Sequence, residues 1–135
     1  MEVIVCLDDK NAMSFNSRRQ STDRVARDRI VALANGKKLW MSPYSAGQFS
    51  QDLPICSDED FPEKAGREDV CFVEDAALLS KLKEIQKIVI LRWNRVYPAD
   101  TYFPIQDFEN RWTLVEKEEF AGYSHKTITQ EVYLL

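Results

Sequence analysis

Two segments near the C-terminus are the basis for inferring the fold: "PADTYFPIQDFENRW", residues 98–112, and "EEFAGYSHKTITQEVYLL", residues 118–135. The first stretch joins an acidic turn to an extended segment of two aromatic residues and a proline. Residues 111–120 and 126–135 alternate apolar and polar side chains on either side of "AGYSH", which predicts two antiparallel strands joined by a loop. The chain is therefore predicted to end in a strand pair.

Upstream of this segment, strand and helix patterns alternate. The apolar runs Val3–Leu7, Cys71–Val73 and Ile88–Leu91 predict three adjacent central strands buried on both faces. Shorter strands are predicted at 38–42 and 53–57. Helices are predicted from Asp23 to the "NGKK" stop at 35–38, from Pro43 through residue 50, and over 74–85. This order predicts one domain over residues 1–135 of the α/β class, with a mixed, mostly parallel sheet flanked by helices and the C-terminal antiparallel pair.

Composition narrows the function classes. The chain has 135 residues, 44% hydrophobic and 30% charged, without an apolar run near the roughly 20 residues of a membrane helix. The short N-terminal apolar run does not resemble a signal peptide, so we expect a cytoplasmic protein without a membrane partner. A net charge of -4 argues against nucleic-acid binding. One histidine, His125, and three widely spaced cysteines offer little material for a metal site, a disulfide or a Ser-His-Asp triad. His125 is expected to be exposed and without a catalytic role.

These segments together resemble dihydrofolate reductase along essentially the whole chain. The matching residues near the C-terminus are Asp100, Thr101, Tyr102, Phe103, Pro104, Trp112, Glu131, Val132 and Tyr133. At the start, residues 3–13 resemble the first strand and mobile loop of that family, residues 23–30 its first helix and residues 37–45 its second strand. The resemblance implies a mixed α/β sheet and a loop over 9–20 that is mobile, packs near Asp100 and covers a cleft.

The chain departs from the family where NADPH would bind. Residues 41–45, "MSPYS", lack the arginine that holds cofactor phosphate in the family. Glu74 and Asp75 stand where the family has a glycine pair, and the segment between Ser45 and Val70 is shortened. The resemblance therefore implies an eroded cofactor site, with Ser45 as the remaining candidate for cofactor binding. We expect no cofactor, or NADPH if the protein is a reductase.

On the substrate side, the resemblance nominates Asp23 as the catalytic carboxylate, and the competing interpretation is an acidic N-terminal residue of the helix. Leu91 replaces the threonine that the family carries nearby. Five arginines fall within residues 18–29, which indicates either an anionic ligand or a solvated helix face with local pairing to Asp23 and Asp28. The predicted ligand pocket comprises Phe15, Arg18, Arg24, Arg27, Trp40, Tyr44 and Thr101, although aromatic residues near strands are more often core.

Two functions follow from this pattern. The favoured one is a non-catalytic binding or regulatory protein for a small anionic or heterocyclic ligand, or for a protein partner. The alternative is a reductase of folate or a related heterocycle that binds its nicotinamide or flavin donor in an altered manner. An RNA-handling protein is a third, less favoured reading, because the chain is acidic.

Overall fold

The computed structural model describes residues 1–104 and 111–135. The strands in this part of the chain are β1 Glu2–Leu7, β2 Ala12–Phe15, β3 Arg18–Arg19, β4 Leu39–Met41, β5 Ile55–Ser57, β6 Val70–Phe72, β7 Lys87–Arg92, β8 Thr101–Tyr102, β9 Thr113–Phe120 and β10 Ile128–Leu134. The helices are α1 Arg24–Ala34, α2 Pro43–Ala46, α3 Phe61–Lys64 and α4 Ala76–Leu79. The acidic stretch within the opening segment, at 105–110, lies outside the described residues. No helix among the described residues is long and apolar enough to cross a membrane.

The main sheet has the strand order β5-β4-β6-β1-β7-β10-β9. The pairs from β5 to β7 are parallel, and β10 runs antiparallel to both β7 and β9. The predicted mostly parallel sheet with a C-terminal antiparallel pair is confirmed. So is the prediction that β6, β1 and β7 are adjacent buried strands, because their continuous apolar runs suit a sheet that is covered on both faces.

Two hydrophobic cores lie on opposite faces of the sheet. Successive side chains of a strand point to opposite faces, so Ile4 joins one core while Val3 and Val5 join the other. The first core includes Ile30 of α1, and the second includes Phe61 of α3. The helices therefore cover both faces.

Helix α1 begins and ends where the sequence predicts. Asp23 is its N-cap and accepts hydrogen bonds from the backbone N–H groups of Val25 and Ala26. Asn35 ends the helix in the left-handed conformation, with φ 50°. Asp23 is thus fixed at the junction between the preceding loop and α1.

Residues 8–20, predicted as a polar loop, contain β2 and β3, which form a small antiparallel sheet with β8 in the order β3-β2-β8. Buried Asp8 holds its start by accepting hydrogen bonds from the backbone N–H groups of Lys10, Ala12 and Tyr97. The predicted approach to Asp100 is confirmed, because the backbone N–H of Asn16 lies 3.0 Å from Oδ2 of that aspartate. The greater mobility of this loop stays a prediction.

The predicted helix over 74–85 is wrong in extent. Helix α4 covers only Ala76–Leu79, and the backbone N–H groups of Lys81 and Leu82 make tight i→i−3 hydrogen bonds. The backbone N–H of Gln86 bonds to the carbonyl of Met1, which brings the chain to the start of β7 beside β1. A longer helix would carry the chain past this point. Helix α2 is also shorter than predicted, and α3 lies in a segment where no helix was predicted.

Candidate functional site

A polar cleft of about 310 Å³ opens beyond the carboxyl ends of β4 and β6. Crevices at the carboxyl ends of parallel strands are the usual ligand sites of α/β sheets. The small sheet that follows β1 forms the opposite wall. The cleft is lined by Ser14, Ser17, Arg18, Arg19, Ser42, Tyr44, Ser45, Phe61, Phe72, Glu74, Asp75, Leu78 and Thr101.

An ion pair crosses this cleft. Nε of Arg19 on β3 lies 2.9 Å from Oε2 of Glu74, which follows β6, and the second guanidinium contact is 3.2 Å to Oε1. The guanidinium also stacks over the ring of Tyr44 at 4.3 Å and donates to its backbone carbonyl. Gln48 donates to the same glutamate at 3.2 Å. The paired forks satisfy both charges, so Glu74 does not face the cleft as an uncompensated carboxylate.

The rest of the cleft offers hydroxyl groups and one cation. Ser45 is buried, and its backbone N–H and hydroxyl both contact Oγ of Ser42, the N-cap of α2. Asp75 caps α4 by accepting from the backbone N–H of Ala77 at 2.8 Å. Arg18 is exposed, and within the described part of the chain its side chain forms no ion pair or hydrogen bond. The cleft therefore presents Arg18 and several hydroxyl groups to a ligand.

Asp23 lies outside the polar cleft, in a small crevice of about 10 Å³ that also includes Ser21, Arg27, Gln48 and Trp93. The side chain of Asp23 is 0% exposed. Besides its cap contacts, its Oδ2 accepts from the backbone N–H groups of the loop at 123–125 at distances of 2.9–3.0 Å. Nδ1 of His125 lies 3.0 Å from the same oxygen. Both carboxylate oxygens are thus engaged within the protein.

These contacts set the ionisation of Asp23. Burial alone would raise the pKa of this carboxyl, but the hydrogen bonds from His125 and from backbone N–H groups outweigh burial and hold the pKa of Asp23 well below its usual range. The carboxylate is therefore charged, and its charge is satisfied by α1 and the hairpin loop.

The expectation that His125 is exposed is wrong. The residue is 6% exposed, and its ring stacks on Trp93 with centroids 4.6 Å apart. Nε2 lies 2.9 Å from the hydroxyl of Tyr97 and 3.1 Å from Oγ of Ser21. A loop position between two strands favours exposure, but the hairpin folds back onto α1 and buries the ring. No local pattern in the sequence signals this, because every partner outside the loop is distant along the chain.

The predicted site residues divide between several places. Arg18, Tyr44, Ser45 and Thr101 line the polar cleft, while Asp23 and Arg27 line the Ser21 crevice. The alternative of local charge pairing on α1 does not describe Arg24, because its guanidinium stacks over the ring of Tyr123 at 4.6 Å.

Trp40 and Phe15 line neither of these two sites. Trp40 packs beside the second core and donates from Nε1 to Asp69 at 2.9 Å, and Phe15 is 48% exposed. The structure thus places these two aromatic residues apart from the predicted pocket residues that line the polar cleft. The sequence already places Glu74 on the cofactor side of the cleft, but it does not single out Arg19, which pairs with Glu74 there.

Neither a model of a known protein family nor any curated protein sequence matches this chain. Among solved structures, dihydrofolate reductase from Enterococcus faecalis, complexed with NADP(H) and RAB-propyl, matches with a TM-score of 0.71. The match covers 98% of this chain and 94% of that chain, at 9% sequence identity. At this identity the likeness concerns the fold alone. The chain has the dihydrofolate-reductase-like fold.

Proposed function

We propose that this protein binds a small anionic or heterocyclic ligand in the polar cleft and does not carry out hydride transfer. The main support for the proposal is the burial and hydrogen bonding of the Asp23 carboxylate. A carboxylate that binds and helps to protonate a heterocycle needs at least one oxygen directed at the ligand. Here both oxygens accept hydrogen bonds from the protein, and the side chain has no exposed surface.

The cofactor side of the cleft supports the same proposal. The phosphate-binding arginine of the resemblance is absent from residues 41–45, and Arg19 is committed to Glu74. A pyrophosphate entering the cleft would have to compete with Glu74 for this guanidinium. Ser45, the remaining candidate for cofactor binding, is buried and bonded to Ser42. These features disfavour a dinucleotide.

The chemistry of the cleft defines the ligand class. Arg18 supplies an uncommitted positive charge, and the hydroxyl groups of Ser17 and Tyr44 line the same space. Thr101 also lines it, but its hydroxyl donates to Asp100 at 3.2 Å. Charge-assisted contacts from a guanidinium and neutral donors from hydroxyl groups suit a carboxylate or phosphate on a small polar ring. The volume of about 310 Å³ is at the low end of ordinary ligand sites, which favours a compact molecule.

The alternative is a reductase with altered cofactor binding. It is favoured by the likeness in fold to an enzyme whose structure contains NADP(H). Calorimetric titration with NADPH, together with an absorbance assay of NADPH oxidation, separates the two functions. NADPH binding with a dissociation constant of about 1 µM or less, about −8.2 kcal/mol, together with dihydrofolate-dependent NADPH oxidation would overturn our proposal.

The direct test is a thermal-shift screen of folates, nucleotides and small carboxylates or phosphates, followed by titration of each hit. We expect a compact anion to stabilise the protein, since a ligand at 100 times its dissociation constant adds about 2.7 kcal/mol. Arg18→Ala should weaken the hit at least about tenfold, because it removes the uncommitted charge. Arg67→Ala is the matched control, since that arginine pairs with Glu84 on the surface. Equal affinity of both variants would contradict the cleft as the site.

A further inference from the structure

The hydrogen bonds around His125 form a relay that the cleft does not use. We propose that Ser21 is a nucleophile activated by His125, with Asp23 as the positioning residue of the imidazole, and that it accepts acyl groups from small unhindered esters. This site is separate from the ligand site of the polar cleft and does not depend on the function proposed for it.

The geometry is that of a serine-histidine-aspartate relay. Oγ of Ser21 lies 3.1 Å from Nε2 of His125, and Nδ1 of the same ring lies 3.0 Å from Oδ2 of Asp23. Because Asp23 is an ionised acceptor, the imidazole proton belongs on Nδ1, which leaves the lone pair of Nε2 to accept the serine proton. Stacking on Trp93 fixes the plane of the ring. The roles are recognised by geometry and not by position in the sequence.

Tyr97 provides a second hydroxyl at Nε2, at 2.9 Å. The two hydroxyl groups share one lone pair, so Tyr97 reduces the time during which Ser21 is bonded to the base. Its phenol ring is held by the same imidazole in an edge arrangement, with centroids 6.5 Å apart. Removing this hydroxyl should therefore increase the reactivity of Ser21.

The Ser21 crevice limits what can react. Ser21 is half-buried, and the crevice of about 10 Å³ holds roughly one water-sized group, such as a carbonyl oxygen. Arg27 lines the crevice, and within the described residues its side chain forms no ion pair or hydrogen bond. Its positive charge is available for an oxyanion that develops there. The remainder of the ester would lie outside, which restricts the site to small acyl groups.

The step balances without a further reagent. Oγ of Ser21 attacks the carbonyl carbon of the ester while its proton passes to Nε2 of His125. The C–O bond to the leaving group then breaks, and the imidazolium returns the proton to the departing alkoxide or phenoxide. Water, deprotonated by the same nitrogen, releases the acyl group as a carboxylic acid and regenerates the serine.

The experiment uses p-nitrophenyl acetate with the full chain, monitoring nitrophenolate release and the mass of the protein, and mapping the acetyl group by peptide analysis. We expect acetylation of Ser21. Ser21→Ala should abolish the label at this peptide, and His125→Gln should slow it at least about 100-fold, the usual contribution of a general base. Tyr97→Phe should accelerate it. Ser57→Ala, at the exposed end of β5, is the matched control and should react like the wild type.

A second measurement does not depend on the folding of variants. His125 is the only histidine in the chain, so imidazole nitrogen NMR signals belong to it. The proposal requires a proton on Nδ1 and a bare Nε2 in the neutral ring. A neutral ring protonated on Nε2 would overturn the proposal, because that nitrogen could not accept the serine proton. Acetylation confined to lysines or the N-terminus, at a rate unchanged in Ser21→Ala, would overturn it as well.

Discussion

The carboxylate of Asp23 lies 3.0 Å from Nδ1 of His125, although 102 residues separate them in the sequence. The same carboxylate caps α1 and accepts hydrogen bonds from the backbone N–H groups of the loop between β9 and β10. One side chain therefore ties the start of the first helix to the C-terminal hairpin. Asp23, which the resemblance nominates as the catalytic carboxylate, therefore connects α1 to the C-terminal hairpin.

Replacing Asp23 should lower the stability of the protein. Asp23→Asn would place an amide NH₂ group against backbone N–H groups that now donate to Oδ2, leaving buried donors unpaired. We expect the free energy of unfolding to fall by about 3 kcal/mol or more, because each buried donor left without an acceptor costs about 1–3 kcal/mol. Urea unfolding monitored by circular dichroism measures the loss.

Asp75→Asn is the matched control, because Asp75 is also a helix N-cap but is exposed. Asparagine caps helices about as well as aspartate, so this variant should change the stability by less than about 0.5 kcal/mol. An equal decrease in the free energy of unfolding of the two variants would contradict the role of Asp23 in connecting α1 to the hairpin.

Stability should depend on acid through the same carboxyl. The pKa of Asp23 is held below its unfolded value of about 3.9, so below that pH the unfolded chain binds a proton that the folded chain does not. The contribution of Asp23 is fully present above about pH 4 and is lost as the pH falls further, toward the folded pKa. We expect the free energy of unfolding, measured from about pH 5 to about pH 2, to fall more steeply in the wild type than in Asp23→Asn. The difference in slope is at most about 1.4 kcal/mol per pH unit, the value for one proton.

The slope that remains in Asp23→Asn should come partly from Asp8. Burial would raise the pKa of Asp8, but hydrogen bonds from the backbone N–H groups of Ala12, Tyr97 and Lys10 hold it below its usual value. An identical slope for Asp23→Asn and the wild type would contradict the assignment to Asp23.

Gly122 is required where the hairpin loop meets Asp23. A Cβ at this position would lie 2.5 Å from the carbonyl oxygen of His125 and 2.9 Å from Oδ2 of Asp23. We expect Gly122→Ala to lower the melting temperature, because the backbone of the loop has to shift and weaken the hydrogen bonds to Asp23. At Gly47 the nearest atom to an added Cβ is 3.4 Å away, so Gly47→Ala should keep or slightly raise the melting temperature. A Gly122→Ala protein as stable as Gly47→Ala would refute this reading of the loop.

The ion pair across the polar cleft should control anion affinity. Glu74→Gln removes the carboxylate that occupies Arg19 and leaves that guanidinium available to a ligand. We expect pyrophosphate to bind about tenfold more tightly, equivalent to about 1.4 kcal/mol, as measured by isothermal titration calorimetry. Glu2→Gln is the control, because Glu2 also pairs with a cation, Lys37, but lies away from the cleft. Unchanged pyrophosphate affinity in Glu74→Gln would count against Arg19 as a latent anion contact.

The central strands of the sheet could be predicted from local patterns along the chain. Burial on both faces requires uninterrupted apolar strands, and the runs at β1, β6 and β7 carry that requirement locally. The N-cap at Asp23 and the left-handed stop at Asn35 are local too, so the limits of α1 follow from the residues beside them. The terminal strand pair follows from alternation on both sides of a polar loop.

The contacts of the polar residues, in contrast, could not be predicted from local patterns and depend on the folded structure. Arg18 and Arg19 are neighbours on β3, but Arg19 is the partner of Glu74, because β3 directs the side chain of Arg19 across the cleft. His125 became buried because the hairpin loop packs on α1, and this contact brings together a base, a carboxylate and two hydroxyl groups from distant parts of the chain. Ion pairs and hydrogen bonds depend on which groups are close in space, and local sequence patterns do not encode those distances. The hydrophobic periodicity that predicts strands and helices is, in contrast, a local property of the sequence.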